Sequence, residues 1–207
     1  RAQRGDRLSV RMAILAGGRA TRYGGAPKGL VEVGGRRVLD RLVDAGVEAF
    51  GALPLLVANA PEASTWRTDL VVVPDRIADA GTLGGILTAV LAAPAPVVCV
   101  AWDMPFVPAS LLSRLAAGLE RFDAVLPESD GPRGLEPLCA GYGPGTLGPI
   151  EGAIARGDLR AIGFHQAIRL ERVPAAEVAQ FGDPARIFFN LNTPDDAVAA
   201  ERLAREP

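Results

Sequence analysis

The sequence carries almost no excess of one charge. Its 22 lysines and arginines face 24 aspartates and glutamates, which leaves a formal charge of −2 at pH 7. A protein that neutralises the phosphates of a nucleic acid needs a basic face, so we expect no nucleic-acid partner. Four arginines do gather within the first eleven residues, as is common in a solvated chain end. We therefore predict that residues 1–11 are an N-terminal tail and that residues 12–207 form the folded domain.

Cysteine and histidine are rare. The two cysteines, Cys99 and Cys139, lie in apolar runs, and the single histidine is His165. Apolar surroundings are typical of reduced thiols packed in a core, so we expect neither a disulfide nor a reactive thiol. A zinc site needs several sulfur or imidazole ligands at short spacing, and this sequence does not supply them.

Long apolar runs are also absent. No stretch approaches the roughly 20 residues that a transmembrane helix needs, and no signal peptide is visible. We therefore expect a cytoplasmic protein with no membrane partner. A composition of 49% hydrophobic and 22% charged residues is nevertheless typical of a chain that folds around a large core.

The most informative segment is residues 13–30. An apolar run ends at Gly17 and Gly18, and two arginines, a second glycine pair and Lys28 follow. Glycines let the backbone approach a ligand, while free amides and cations suit a polyphosphate. An ordinary turn with solvated charges is the alternative, but four glycines and three cations within twelve residues exceed what a turn needs. We predict a phosphate-binding loop that includes both glycines, Arg22 and Lys28.

Short apolar runs alternate with segments of helical spacing. The candidate strands are Met12–Ala16, Leu53–Asn59, Leu70–Pro74, Val97–Trp102, Phe122–Leu126, Glu136–Tyr142, Ile168–Val173 and Ile187–Asn190. The candidate helices are Val38–Phe50, Leu83–Ala92, Ala109–Arg121, Leu147–Ala155 and Asp195–Arg205. Continuous apolar runs predict strands that are buried on both faces. We therefore expect a single α/β domain, with a mainly parallel twisted sheet and helices on both faces.

Polar or glycine residues follow four of these strands in turn. Gly17 comes after the first strand, Asn59 ends the second, and Asp75 and Asp103 follow the third and fourth. Ligands of open α/β sheets bind at the carboxyl ends of the strands. Asn and Asp also end strands and cap helices in many proteins, so each residue alone indicates little. Together with the glycine loop, they predict a binding site.

Asp103 and Asn192 are the candidate metal ligands. A carboxylate that ends a buried strand opposite a polyphosphate loop can hold Mg²⁺, which prefers oxygen ligands. Capping of the next helix is the other possible role of Asp103. Asn192 precedes Thr193 and Pro194, a favourable helix start. It therefore either belongs to that start or reaches the metal.

Two other glycine motifs are weaker. Residues 81–85 open a helix, and their glycines either admit a flat base or ribose or simply pack the helix. Residues 143–148 match the G-x-G-x-x-G dinucleotide fingerprint, but the match contains a proline and lies late in the chain. A G-x-x-x-x-G-K-[ST] motif is absent. We therefore expect neither a dehydrogenase nor a P-loop NTPase.

One ordered set of motifs runs from about Met12 to the C-terminus. Its members are Leu15-Ala-Gly-Gly18, Arg22, Gly24-Gly25, Lys28-Gly29, Asn59, Asp75, Gly84-Gly85-Ile86, Asp103-Met-Pro105, Glu136-Pro-Leu138 and Asn190-x-Asn-Thr-Pro194. Together they resemble the molybdenum cofactor guanylyltransferases. The resemblance implies the Rossmann-like fold of nucleotide-diphospho-sugar transferases and transfer of GMP from magnesium GTP to molybdopterin, with release of pyrophosphate. It also implies the proteins that mature molybdoenzymes as partners.

The resemblance further assigns residues to the nucleotide and to Mg²⁺, which Asp103 would hold. The implied nucleotide contacts are Leu15, Ala16, Gly17, Lys28, Asn59, Asp75 and Asp103, and the amide of Gly18 belongs to the same loop. In the reaction, a phosphate oxygen of the acceptor attacks the α-phosphorus, while Arg22 and Lys28 stabilise the leaving pyrophosphate. A phosphate nucleophile needs no general base. We therefore expect Arg22, Lys28 and Asp103 to carry the catalysis.

Two positions depart from the family pattern. Pro27 stands where the family usually has aspartate, and Glu136 stands where histidine or glutamine is common. Proline before the loop lysine resembles cytidylyl and sugar-phosphate transferases of the same fold. A cytidylyltransferase for the molybdenum cofactor or for another phosphorylated acceptor is therefore one alternative, and a non-catalytic nucleotide-binding regulator is another. Gly17 and the asparagines of the last motif favour guanylyl transfer.

Overall fold

Strands and helices alternate through residues 10–17, 22–23, 26–93, 95–131 and 134–205, which the computed structural model describes. The strands are β1 (Arg11–Leu15), β2 (Arg22–Tyr23), β3 (Ala26–Pro27), β4 (Glu32–Val33), β5 (Arg36–Arg37), β6 (Leu55–Val57), β7 (Val71–Val73), β8 (Val97–Ala101), β9 (Ala124–Pro127), β10 (Cys139–Tyr142) and β11 (Leu170–Val173). The α-helices are α1 (Val38–Phe50), α2 (Ala63–Trp66), α3 (Gly81–Ala92), α4 (Ala109–Gly118), α5 (Leu147–Ala155), α6 (Ala175–Val178), α7 (Pro184–Ile187) and α8 (Pro194–Leu203).

Seven of the strands form one sheet, in the order β11-β9-β10-β8-β1-β6-β7. Strand β10 runs antiparallel to β8 and β9, and the other neighbours are parallel. Leu15 at the end of β1 lies opposite Val57 of β6 and Ala101 of β8. The carboxyl ends of these three strands therefore lie side by side, and the segments that follow them share one edge of the sheet.

The apolar strands are buried because helices cover both faces of the sheet. On one face, Met12 and Ile14 of β1 belong to a core with residues of α1 and α4. On the other face, Ala13 and Leu15 belong to a core with residues of α3 and α5. Successive strand residues point to opposite faces, so a continuous apolar run fills both cores. The predicted fold class, a mainly parallel sheet wrapped by helices in a single domain, is confirmed.

The residue ranges predicted for the helices agree with the structure more closely than those predicted for the strands. Helices α1 and α5 have the predicted bounds, whereas α4 ends at Gly118, three residues before the prediction. The predicted strand Ile187–Asn190 is wrong. The short helix α7 occupies the start of this segment, because Asp183 accepts a hydrogen bond from the amide of Ala185 and Pro184 begins the helical turn.

Three other predictions concern the chain as a whole. Strand β1 begins at Arg11, one residue before the predicted start of the domain, and residues 1–9 lie outside the described residues. Cys99 and Cys139 are both free and fully buried, and burial raises the pKa of both thiols, as expected for reduced core cysteines. Within the described residues, no helix is long and apolar enough to cross a membrane.

Candidate active site

Lys28 lies at the centre of the site, between two oxygen atoms. Its Nζ is 3.3 Å from Oδ2 of Asp103 and 2.7 Å from Oδ1 of Asn192. The residue is only 4% exposed, which is rare for lysine unless the ammonium is paired. These three residues are far apart in the sequence, and the fold brings all three of them together at the carboxyl edge of the sheet.

The loop that carries Lys28 is fixed by close packing. The hairpin β2–β3 leads directly into a 3₁₀ turn at Lys28–Leu30. A Cβ atom on Gly29 would lie 2.5 Å from Cε3 of Trp102, so only glycine lets the turn pack on this ring. Trp102 in turn stacks on Trp66, with 5.0 Å between ring centroids. Lys28 therefore extends from a firmly held backbone.

Asp103 follows the buried strand β8 and is itself largely buried. The amide of Trp102 donates to the carbonyl of Leu15 at 3.2 Å, which ties the end of β8 to the end of β1. The side chain of Asp103 is 17% exposed. Burial raises the pKa of Asp103, and the ammonium of Lys28 opposes this effect without cancelling it. The carboxylate is thus costly to bury and depends on a nearby cation.

Asn192 is held in place by the start of α8. The carbonyl of Asp103 accepts a hydrogen bond from the amide of Leu191 at 2.9 Å. Thr193 and Asp196 form a capping box, and Oδ2 of Asp196 also accepts from the amide of Asn192 at 2.8 Å. The predicted helix start is therefore confirmed. The side chain of Asn192 is not used in the cap and reaches Lys28 instead.

Asn59 and Asp75 form a second cluster, on the other side of β1. Nδ2 of Asn59 donates to Oδ2 of Asp75 at 2.6 Å, and the amide of Asp75 donates to Oδ1 of Asn59 at 2.8 Å. The other carboxylate oxygen, Oδ1, lies 3.9 Å from the point where a Cβ atom on Gly85 would stand. Asn59 therefore orients Asp75 so that one of its oxygens faces helix α3.

A cleft opens beside Asp75. Its lining residues are Leu15, Gly17, Val57, Asp75, Gly81, Thr82, Gly85 and Leu138. Gly81 and Gly85 thus line a space, as the base-admitting alternative expects, whereas a Cβ atom on Gly84 would stand 2.7 Å from Cβ of Ala80, as the packing alternative expects. Each alternative for residues 81–85 therefore holds for part of the motif.

The remaining predicted residues are less completely described. Ala16 is 3% exposed and donates its amide to the carbonyl of Val57 at 2.8 Å, so its side chain belongs to the core. Gly18 lies outside the described residues. The backbone of Arg22 forms part of β2, but its side chain lies outside what the structure describes.

Sequence reasoning gave no role to three residues of the site. Thr82 and Leu138 line the cleft, and Trp102 supports the turn after Lys28. Leu138 belongs to the Glu136-Pro-Leu138 motif, which could have indicated its position. Gly29 directly after a functional lysine could have indicated close packing, although the ring that it contacts is distant in sequence.

The oxygen atoms around Lys28 are suited to a divalent metal. Carboxylate and amide oxygens are ligands that Mg²⁺ accepts, and here both are directed at one cation, the ammonium. Elsewhere in the described part of the chain, no group of three or more His, Cys, Asp or Glu side chains could hold a metal ion. A metal at Asp103 would therefore need further ligands from a bound molecule.

A larger cavity, of about 600 Å³, lies between α1, the start of α4 and the segment around α7. It contains none of the predicted site residues. Its wall carries charges of both signs: Arg36 pairs with Asp44, and the guanidinium of Arg186 lies 5.3 Å from the ring centre of Phe106. Arginines and carboxylates line this cavity together, whereas the described residues of the predicted phosphate-binding loop lie at the sheet edge.

Comparison with known proteins identifies the family and supports the fold. The MobA-like NTP transferase domain matches residues 12–170. A probable molybdenum cofactor guanylyltransferase of Pelotomaculum thermopropionicum is 34% identical over 198 residues, covering 95% of this chain and 94% of the relative. One of Chloroflexus aggregans is 36% identical over 190 residues, covering 88% and 89%. The crystal structure of molybdopterin-guanine dinucleotide biosynthesis protein A from Archaeoglobus fulgidus superposes with a TM-score of 0.77 at 25% identity, covering 93% of this chain and 97% of that one.

The family match ends at residue 170 and therefore includes the positions of Lys28, Asn59, Asp75 and Asp103, whereas Asn192 lies beyond it. Nucleotidyltransferases of this kind generally need a divalent metal, in agreement with the oxygen ligands around Lys28. The chain belongs to the MobA-like NTP transferase family, and its relatives place it among the molybdenum cofactor guanylyltransferases.

Proposed function

We propose that this protein transfers GMP from magnesium GTP to molybdopterin, forming the guanine dinucleotide cofactor and pyrophosphate. One observation carries the proposal. A lysine and a carboxylate meet beside a glycine-lined cleft at the carboxyl edge of the sheet, where open α/β sheets bind their ligands. The names of the relatives supply the acceptor, molybdopterin. The product would then pass to the proteins that mature molybdoenzymes.

The cleft has features that suit a guanine base. Leu15 and Val57 offer apolar surface to a flat ring. Asp75 presents the oxygen that Asn59 leaves free, and a carboxylate is an acceptor only. Guanine carries two neighbouring N–H donors on its pairing edge, the ring N1–H and the exocyclic amine. A carboxylate at this place would therefore bind guanine in preference to a base with fewer adjacent donors.

The residues around Lys28 would act on the phosphates. An oxygen of the molybdopterin phosphate attacks the α-phosphorus, the bond from this phosphorus to the bridging oxygen breaks, and pyrophosphate leaves. Lys28 would bind the departing phosphates, because its ammonium is a compact charge on a flexible stem. Asp103 and Asn192 would hold Mg²⁺, which when bound neutralises phosphate charge and aligns the reactants.

A side-by-side measurement of nucleotide binding and turnover tests the proposal. GTP, CTP, UTP and ATP are titrated into the protein with Mg²⁺ by calorimetry, and pyrophosphate release is then measured with molybdopterin present. We expect GTP to bind most tightly and to yield pyrophosphate. A preference for CTP would contradict guanylyl transfer and favour the cytidylyl alternative. Tight GTP binding without any pyrophosphate would contradict catalysis and favour a regulator.

A further inference from the structure

Lys28 is the only lysine in the chain. The other 21 of the 22 lysines and arginines are arginines. A guanidinium is a planar fork, whereas an ammonium is a compact point charge. Only the compact group resembles a metal ion in shape. The one lysine of an arginine-rich sequence therefore stands where two oxygens, from Asp103 and Asn192, surround a single small cation.

These two oxygens are the ones that the proposed function assigns to the metal. A magnesium ion holds its oxygen ligands at about 2.0–2.1 Å, closer than either oxygen lies to Nζ. The ammonium and the metal would therefore need the same place. Even a metal on the other oxygen of Asp103 would stand beside a buried like charge, which opposes its binding.

The surroundings allow the ammonium to leave while the oxygens stay. Gly29 fixes the backbone of Lys28 against Trp102, so only the four-carbon stem of the lysine has to swing. The amide of Asn192 is bonded to Asp196, and the carbonyl of Asp103 is bonded to the amide of Leu191. The backbone segments that carry the two oxygen atoms are thus held by contacts that do not involve Lys28.

We propose that Lys28 is a resident cation that keeps the metal site closed until the phosphates of a nucleotide draw its ammonium away. The inference rests on the proposed function, because it takes Asp103 as the metal ligand. Its consequence is that metal and polyphosphate favour each other's binding. Such coupling is reciprocal and is typically roughly 5- to 150-fold in affinity. The protein would bind the metal weakly without a nucleotide.

Direct measurement of Mn²⁺ binding tests the proposal without turnover. Free Mn²⁺ is followed by electron paramagnetic resonance during titration of the wild type, Lys28→Met and the double variant Lys28→Met/Asp103→Asn. Methionine keeps an unbranched chain and removes the charge. We expect Lys28→Met to bind Mn²⁺ at least about fivefold more tightly than the wild type, and the double variant to lose this gain. Unchanged or weaker Mn²⁺ binding by Lys28→Met would overturn the proposal.

A matched control removes a different paired cation. Arg169 pairs with Asp123 at 3.0 Å, and neither residue belongs to the site. Arg169→Met should bind Mn²⁺ as the wild type does, and a gain equal to that of Lys28→Met would overturn the proposal as a general charge effect. The titration uses neither GTP nor molybdopterin. Failure of the transfer reaction and failure of this proposal are therefore distinguishable.

Nitrogen-15 NMR provides a second test on the wild-type protein, which does not depend on the stability of a variant. Because the chain has one lysine, uniform ¹⁵N labelling yields a single lysine Nζ resonance together with the backbone amide resonances. We expect Mg²⁺ alone to leave it unchanged, together with the amide resonance of Asp103. We expect Mg²⁺ with inorganic tripolyphosphate to shift both resonances. A shift of the Asp103 amide by Mg²⁺ alone, with an unchanged Nζ resonance, would show that metal and ammonium coexist and would overturn the proposal.

Discussion

Asn59 and Asp75 hold each other through two hydrogen bonds, of 2.6 Å and 2.8 Å, that join the ends of β6 and β7. Asn59 uses one N–H and its oxygen in this pair, which fixes the direction of the Asp75 carboxylate. The resemblance to the family assigned both residues to the nucleotide. Because the two side chains bond each other, we expect Asn59 also to orient the Asp75 carboxylate for its contact with the nucleotide.

Replacement of Asn59 by alanine should therefore weaken nucleotide binding without unfolding the protein. Asp75 would lose the partner that fixes its carboxylate towards the nucleotide, and we expect roughly tenfold weaker GTP binding, about 1.4 kcal/mol. Calorimetric titration of GTP measures the change. Thr65→Ala, which removes a surface hydrogen bond to the carbonyl of Glu62, serves as the control and should bind GTP normally. Normal GTP binding by Asn59→Ala would contradict this role.

Lys28→Ala should slow turnover with any nucleotide. The change removes one charge-assisted contact to phosphate, about 1.5–3 kcal/mol.

Pro27→Asp restores the aspartate that the family usually has before the loop lysine. Pro27 has no amide hydrogen and can only shape the loop. This variant should keep nucleotide affinity within a few-fold. Steady-state kinetics on both variants measures the effects, and a Lys28→Ala enzyme with normal kinetics would mean that other groups hold the phosphates.

Asp103→Asn should abolish transfer and leave the fold intact. The substitution keeps the shape of the side chain and the backbone bond from Leu191 but removes the charge that the metal needs. We expect a loss of at least about a hundredfold in pyrophosphate release from a protein that still folds but unfolds at a lower temperature, because the buried ammonium of Lys28 loses its charged partner. Asp123→Asn, at a carboxylate that is 21% exposed and pairs with Arg169, is the control. Retained activity in Asp103→Asn would place the metal elsewhere.

Gly85→Ala should separate nucleotide binding from stability. The added methyl group would stand 3.9 Å from Oδ1 of Asp75 and 4.0 Å from Cδ2 of Leu15, so it fits the fold but enters the cleft. Alanine is a better helix former than glycine by about 1 kcal/mol, so stability should not fall. Gly148→Ala, where a Cβ atom meets nothing within 4 Å, should share the stability effect and keep normal GTP affinity. Equal GTP affinity in both variants would show that the base binds elsewhere.

His165 should make the protein less stable in acid. Its Nε2 is buried and has no hydrogen-bond partner among the described residues, and burial, aided by the charge of Arg172, lowers its pKa to about 4 from 6.5. The unfolded chain binds the proton more readily, so stability is complete above about pH 6.5 and falls as the pH decreases towards 4. The loss reaches about 3 kcal/mol at most.

Urea unfolding of the wild type and of His165→Phe at several values between these two pH limits measures the loss of stability. The variant lacks the titrating group and should lose less stability than the wild type as the pH falls. Because the chain has one histidine, NMR titration of its ring protons also reads the pKa directly. A folded-state pKa near 6.5, or identical pH dependence in both proteins, would refute the prediction.

Much of the fold could be predicted because local patterns determine it. Helices α1 and α5 have the predicted bounds, because the helical spacing of apolar residues begins and ends at the same positions as the helices. The strand prediction for residues 187–190 is wrong because three of these four residues are apolar, while the cap at Asp183 that starts a helix lies before them. Apolar residues alone do not distinguish a short strand from the end of a helix.

The sequence could indicate which polar residues gather at the sheet edge but not the contacts that they make there. The positions of Asp75 and Asp103 after successive strands follow from the topology of a parallel sheet. That Lys28 would be buried against Asp103, or that Asn59 would turn towards Asp75, depends on side-chain packing between distant segments. Sequence spacing carries no information about such packing.

The bond between Lys28 and Asn192 joins residues 164 positions apart, although the last strand of the sheet ends at Val173. During synthesis on the ribosome, every strand of the sheet therefore emerges before the site can be completed. A nascent or C-terminally clipped chain could retain all seven strands and still lack one oxygen beside Asp103. We therefore expect the sheet to be able to fold before the site receives the oxygen atom of Asn192.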